Sequence, residues 1–291
     1  MTALDEEAEI EASRAPLLEH LTELRTRLFI CVGAFFVAFV VCFAFAEPIY
    51  LYLVKPFQVA DQMLRAQQAA GAEHGPFDLL LALVGAREAP AGDGQALELV
   101  FTGPLEFFFA KLRLAGFGAL VLSFPVLAWQ LYRFVAPGLY RRERNAFLPF
   151  LLASPLLFLL GAALVYYVML PFVLWFSLSQ QVAGDTVTIS LLPRIAEYLG
   201  LVTTLILAFG LCFQLPVIVT LLGLSGIVSG SALAAGRRYA IVGVVVVAAV
   251  VTPPDPISQL MLAVPLVLLY EVSIWCVRLI EWRRRDEDAA A

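Results

Sequence analysis

The chain has 291 residues, 61% of them hydrophobic and only 15% charged, with a formal net charge of −5. Its uncharged runs are longer than the roughly 20 residues needed to cross a bilayer, which excludes an ordinary soluble domain and indicates a polytopic membrane protein. The acidic balance, with no basic stripe to neutralise phosphates, excludes a nucleic-acid partner.

Residues 1–16 are acidic and end in Pro16, the composition expected of a disordered cytoplasmic tail. In the segment that follows, Leu17, Leu21, Leu24 and Leu28 fall on one helical stripe, with Glu19 and Glu23 on the far side. That pattern predicts an amphipathic helix lying on membrane lipid. Glu23 and Arg27, four residues apart, have the spacing of an ordinary surface ion pair. A first span is predicted over 28–46. Residues 47–104 are punctuated by Pro56, Gly71, Gly75-Pro76, Pro90 and Gly92-Asp-Gly94, which reads as a long extracytoplasmic loop with short helices over 59–70 and 77–85.

A second span is predicted over 107–133, with Lys111 and Arg113 reaching the outer headgroups from its first turns. It ends at Phe134-Val-Ala-Pro-Gly-Leu-Tyr-Arg-Arg-Glu-Arg144. Here Pro137-Gly138 stops a helix, and three arginines hold the turn on the cytoplasmic side. The third span, 146–178, contains Pro149, Pro155 and Pro171 and should be kinked. After an outer loop, a fourth span over 195–224 is interrupted at Phe213-Gln-Leu-Pro216. An inner loop over 225–236 then closes on Arg237-Arg238.

The fifth span, 238–252, has only thirteen apolar residues from Tyr239 to Val251. At 1.5 Å per residue that is about 20 Å against a hydrocarbon core of about 30 Å, short enough to thin the bilayer beside it. The turn Thr252-Pro-Pro-Asp-Pro256, with Pro253 and Asp255 as its structural residues, faces outward. A sixth span over 257–280, also expected to be short, carries Glu271 past its middle, and 282–291 form a cytoplasmic tail. Arg14, Arg25, Arg27, Arg133, Arg141, Arg142, Arg144, Arg237, Arg238, Arg278, Arg283, Arg284 and Arg285 all fall on the inner side. They are 13 of the 19 basic residues, a bias that orients six spans with both termini cytoplasmic. The fold expected is therefore one all-α membrane domain over 17–281.

No catalytic or metal motif is present. His20 and His74 are isolated, and Cys31, Cys42, Cys212 and Cys276 are scattered singly through the spans as small apolar fillers, so neither an enzyme nor a cofactor is expected. Glu19, Glu23 and Glu143 lie on the inner face. There they either bind guanidinium groups by bidentate charged hydrogen bonds or are neutralised by neighbouring arginines. Gln214 and Glu271 are the polar groups at depth. Glu271 is open to three readings: a proton or ion site of a secondary transporter, a structural hydrogen bond, or a snorkelling group. The transporter reading lacks the internal repeat such proteins usually show.

Several motifs in order carry a resemblance over roughly residues 18–278. They are His20-Leu-Thr-Glu-Leu-Arg-Thr-Arg-Leu28, Phe101-Thr-Gly-Pro-Leu-Glu-Phe-Phe108, Phe124-Pro125 with Gln130, and Phe134-Val-Ala-Pro-Gly-Leu-Tyr140 with Glu143-Arg144. Phe209-Gly210 with Pro216, Thr252-Pro-Pro-Asp-Pro-Ile-Ser-Gln259, and Leu269-Tyr-Glu271 complete the set. Together they resemble the TatC subunit of the twin-arginine protein translocase. The resemblance implies a concave, glove-like receptor in the inner or plasma membrane that binds Arg-Arg signal peptides and exports folded proteins using the proton-motive force. It implies signal-peptide contacts at Glu23 and Glu143, flanked by Glu19 and Arg25. The implied partners are single-span subunits of the TatA and TatB type, docking near position 214, and other copies of TatC. This chain has Gln214 where many members have glutamate, and its first outer loop, 58–97, is longer than usual.

Overall fold

The computed structural model describes residues 3–70, 76–83, 85–86, 103–135, 143–180, 182–183, 188–189, 194–224, 226–251 and 256–290. Side chains are described for 21–64, 78, 81–83, 85–86, 103–134, 152–178, 180, 194–224, 226–251, 256 and 259–282. Helix α1 runs from Ala3 to Ala44 without a break. The tail, surface helix and first span expected as three pieces are thus one helix. The first twelve residues are rich in alanine and glutamate, both strong helix formers, and that outweighs their acidity. After a one-residue break at Phe45, α2 occupies Ala46–Ala70 and α3 Pro76–Leu83.

Pro56 does not end a helix, as its place among the loop's punctuation implies; it lies inside α2. A proline there has no N–H to give the carbonyl four residues back, which belongs to Tyr52. A neighbour supplies the missing donor: the Tyr166 hydroxyl donates to the Tyr52 carbonyl oxygen at 2.8 Å, and the two rings stack at 4.8 Å. One residue on, the Tyr198 hydroxyl donates to the Leu53 carbonyl oxygen at 2.7 Å. Two tyrosines, Tyr166 and Tyr198, thereby hold α2 near its start.

Helix α4 spans Glu106–Val135 and α5 spans Glu143–Leu164. A single π turn, Val165–Met169, follows and leads into α6, Leu170–Ser179. The wider turn precedes Pro171, where the ring would otherwise crowd the preceding turn, so the expected kink takes the form of a π bulge. In the outer loop Val182–Ala183 (β1) and Thr188–Ile189 (β2) pair antiparallel, with Val182 opposite Ile189. Helices α7 (Ile195–Cys212) and α8 (Leu215–Leu224) are divided where the sequence places its interruption. Gly226, at φ +70°, closes α8 with the Ile227 N–H bonded to the Leu222 carbonyl oxygen, a left-handed stop suited to glycine. Ser229 then caps α9, Gly230–Ala235, its hydroxyl accepting from the Ala232 N–H at 3.2 Å. Helices α10 (Arg237–Val251) and α11 (Pro256–Ala290) complete the chain.

Among the described residues, five helical stretches are long and apolar enough to cross a membrane: Leu21–Ala44, Glu106–Phe134, Leu152–Leu178, Ile195–Leu224 and Gln259–Trp282. The fifth apolar helix, α10, has 15 residues, about 22 Å, and falls short of that length. The last stretch, at 24 residues, is not short as expected, because the chain stays apolar well beyond Glu271.

The helices pack as a row through small residues. Ala115 and Ala119 of α4 are fully buried, and a Cβ on Gly118 would sit 2.9 Å from Cys42 Sγ of α1. Gly161 of α5 lies against the Phe209 backbone, Gly210 of α7 against the Phe158 ring, and Gly223 of α8 against Val277 of α11. Lipid tails are as apolar as leucine, so close van der Waals approach of this kind is what brings membrane helices together. The side chains that remain exposed, such as Phe36, Val37 and Val40 of α1, are the apolar surface a bilayer solvates.

Candidate functional site

Glu23 stands on α1 with Arg27 one turn further along. Arg27 Nε donates to Glu23 Oε1 at 3.1 Å, and Nη2 closes on that same oxygen. The Arg27 side chain is 16% exposed and the Glu23 side chain 36%. Arg25 is exposed. Glu19 lies within α1 and Glu143 opens α5, both with side chains outside the described residues.

The packing of α1 on α4 sets which of these groups share an end of the molecule. The two helices run antiparallel, with Lys111 Nζ 4.9 Å from the Phe43 ring centroid and Gly118 against Cys42. Counting 19 residues back from Cys42 reaches Glu23, about 28 Å away, and 17 forward from Gly118 reaches Val135, the end of α4, about 26 Å away. Glu23 is therefore close to level with the C-terminal end of α4, and the Pro137-Gly138 turn after it lies outside the described residues. The half-buried Phe134 precedes that turn and Glu143 follows it.

Gln214 sits in the break between α7 and α8 and is 7% exposed. Its two side-chain ends are both used by one residue of α5: the Ser154 hydroxyl donates to Oε1 at 2.7 Å, and Nε2 donates to the Ser154 carbonyl oxygen at 2.9 Å. The amide thus ties the broken fourth apolar stretch to the third from within.

Glu271 is not a lone carboxylate. Arg237, the first residue of α10, meets it with two donors, Nε to Oε1 at 2.7 Å and Nη2 to Oε2 at 2.8 Å. Beside it the Tyr270 hydroxyl donates to the Leu233 carbonyl oxygen at 2.9 Å, and the Gly230 N–H donates to Glu281 Oε1 at 2.8 Å, which dock α9 on α11. A carboxylate held in a bidentate arginine pair has the geometry of a structural clasp. Pro253 and Asp255 fall outside the described residues.

At the opposite end, Glu106 accepts from the Gly103 N–H at 3.1 Å and lies 3.6 Å from Arg194, which also reaches Glu197 at 3.1 Å. Neither this group, nor the Ser154 partner of Gln214, nor the tyrosine pair on α2 is anticipated from the sequence. Each joins residues far apart in the chain, and only the Gly103–Glu106 spacing, half of a capping box, is a local sign. Among the described residues no group of three or more His, Cys, Asp or Glu side chains could hold a metal ion.

Residues 19–265 match the family described as Sec-independent protein translocase protein (TatC). The TatC protein of Magnetococcus marinus is 40% identical over 277 residues, covering 95% of this chain and 89% of that protein. The TatCy protein of Bacillus subtilis is 34% identical, covering 97% and 96% respectively. Among solved structures, a crystal structure of the twin-arginine translocase receptor TatC is similar at a TM-score of 0.65 and 31% identity. It covers 89% of this chain and 98% of that one. Translocase components are not enzymes, and the ion-coupled transporter reading of Glu271 gives way with them. The chain belongs to the TatC family of Sec-independent protein translocase proteins, and is a multi-pass component of the inner membrane.

Proposed function

We propose that this chain is the receptor and core subunit of a twin-arginine translocase, binding Arg-Arg signal peptides at its cytoplasmic face through Glu23 and Glu143. It acts with single-span subunits of the TatA and TatB type and with further copies of itself. Movement of the folded cargo is driven by the proton-motive force.

The observation that carries this reading is the Glu23–Arg27 pair, close to level with the end of α4. Arg27 delivers both donors to a single oxygen, and one turn of helix separates the two residues. Such an i,i+4 contact is worth only about 0.3–0.5 kcal/mol. A signal-peptide guanidinium that reaches the carboxylate gains a charged hydrogen bond of about 1.5–3 kcal/mol, more than the contact with Arg27 is worth. Lysine, a point donor without the planar fork, gains less.

The test is binding of an Arg-Arg signal peptide and its Lys-Lys counterpart to the purified protein and to Glu23→Ala and Glu143→Ala. The wild type is expected to prefer Arg-Arg, with each variant losing about tenfold in affinity for it. Equal binding of both peptides by the wild type would reduce these glutamates to surface charges.

A further inference from the structure

At the end of the row where α1 stops, α2 turns away and α4 and α7 begin, there is a cavity of about 220 Å³. Its walls are apolar, with Phe107, Leu114, Ile195 and Leu199 among them, but two opposite charges line it as well: Glu47, at the start of α2, and Lys111, in the second turn of α4. The two do not pair, since no ion pair joins them within 4.0 Å, and neither has an ion partner among the described residues. Lys111 Nζ lies 4.9 Å from the Phe43 ring centroid, a contact that attracts the cation without cancelling its charge. Glu47 follows the apolar stretch of α1 by three residues, and Lys111 enters a stretch that stays apolar beyond Arg113, so both lie at headgroup level.

We infer that this cavity is a binding site for a phospholipid whose headgroup carries a phosphate and a primary amine, the phosphate at Lys111 and the ammonium at Glu47. Two unpaired opposite charges facing one space are complementary to a zwitterion of the opposite order, and they are mismatched to a headgroup that is only anionic, which Glu47 repels. The volume is below the roughly 300–1,000 Å³ of pockets that enclose a small-molecule ligand, and fits a headgroup or the first part of an acyl chain. Its apolar walls and its place at the bilayer edge select a lipid over a soluble zwitterion. Tyr50 also lines the space, and burial pushes its hydroxyl above the usual range, so it remains a neutral donor there.

The site is separate from Glu23 and the cytoplasmic turn, so it is tested independently of signal-peptide binding. The full-length protein would be reconstituted in nanodiscs with equal phosphatidylethanolamine and phosphatidylglycerol, and the retained lipids counted by native mass spectrometry. The wild type should retain phosphatidylethanolamine preferentially. Lys111→Gln and Glu47→Gln should each cut that preference about threefold, the size of one partly solvated ion contact, while Lys111→Arg keeps it. Glu47→Gln should in addition shift retention toward phosphatidylglycerol, because the repelling carboxylate is gone. Signal-peptide binding, measured on the same samples, should be unchanged in all three. A wild type without headgroup preference, or a preference unaltered by both neutral variants, overturns the assignment.

Discussion

Removing the Tyr166 hydroxyl tests whether it substitutes for the N–H that Pro56 lacks. Tyr166→Phe keeps the ring stacked on Tyr52 but removes the 2.8 Å bond to the Tyr52 carbonyl oxygen. With proline four residues on, that carbonyl has no helical donor, so the variant leaves a polar group unsatisfied at a cost of about 1–3 kcal/mol. Pro56→Ala restores the amide, and the same Tyr166→Phe change in that background should cost no more than about 0.5 kcal/mol, since the carbonyl regains its partner. The coupling between the two sites is thus about 1–2 kcal/mol and of one sign. It would be read from unfolding in mixed micelles titrated with SDS, on the four proteins of the cycle. Equal cost of Tyr166→Phe in both backgrounds refutes the idea that the tyrosine completes a proline break.

The Gln214–Ser154 pair should show coupling of about 0.6–1.7 kcal/mol between Ser154→Ala and Gln214→Leu in the same unfolding assay, the range of interhelical hydrogen bonds in membranes; additive losses would deny the pair any part in joining α5 to the α7–α8 break. Inserting four leucines within 244–248 extends α10 from 15 to 19 residues, about 28 Å, and should impair protein export while leaving signal-peptide affinity unchanged; undiminished export in reconstituted vesicles would show that its shortness has no part in transport.

Most of the helices were legible in the sequence because hydrocarbon imposes a simple rule: a stretch of some 20 apolar residues without charge has few alternatives to a helix. The break at Phe213-Gln-Leu-Pro216 and the short α10 were legible for the same reason, since proline and chain length act locally. Pro56 was misread because its effect depends on a partner. Alone it marks a loop, but a donor from Tyr166, 110 residues away, lets the helix continue. Glu271 stayed open among three readings for a similar reason: its partner Arg237 lies 34 residues earlier, in what reads as the end of a loop, and nothing local announces the pair. At the candidate site the Glu23–Arg27 contact followed from i,i+4 spacing, whereas its level relative to the end of α4 needed the register between α1 and α4. That register is set by Gly118 and Cys42, neither of which signals it in the sequence.

The Arg237–Glu271 pair also bears on how thick a bilayer α10 can span. Glu271 lies 15 residues into α11 and Arg237 starts the 15-residue α10, so both stand about 22 Å from the turn that joins the two helices. A bilayer of ordinary thickness, about 30 Å, would place the pair roughly 8 Å inside the hydrocarbon. Taking two charges out of water costs several kcal/mol per ion before their attraction repays part of it. Thinning the membrane costs fractions of a kcal/mol per Å, a few kcal/mol over that distance and of the same order as the burial it avoids. The side chains are 45% and 34% exposed. Where the membrane thins, headgroups should reach Arg237 beside α10 and keep their normal height beside α4, whose 30 residues extend about 45 Å. Such a thin place would be local, set by the depth of one ion pair.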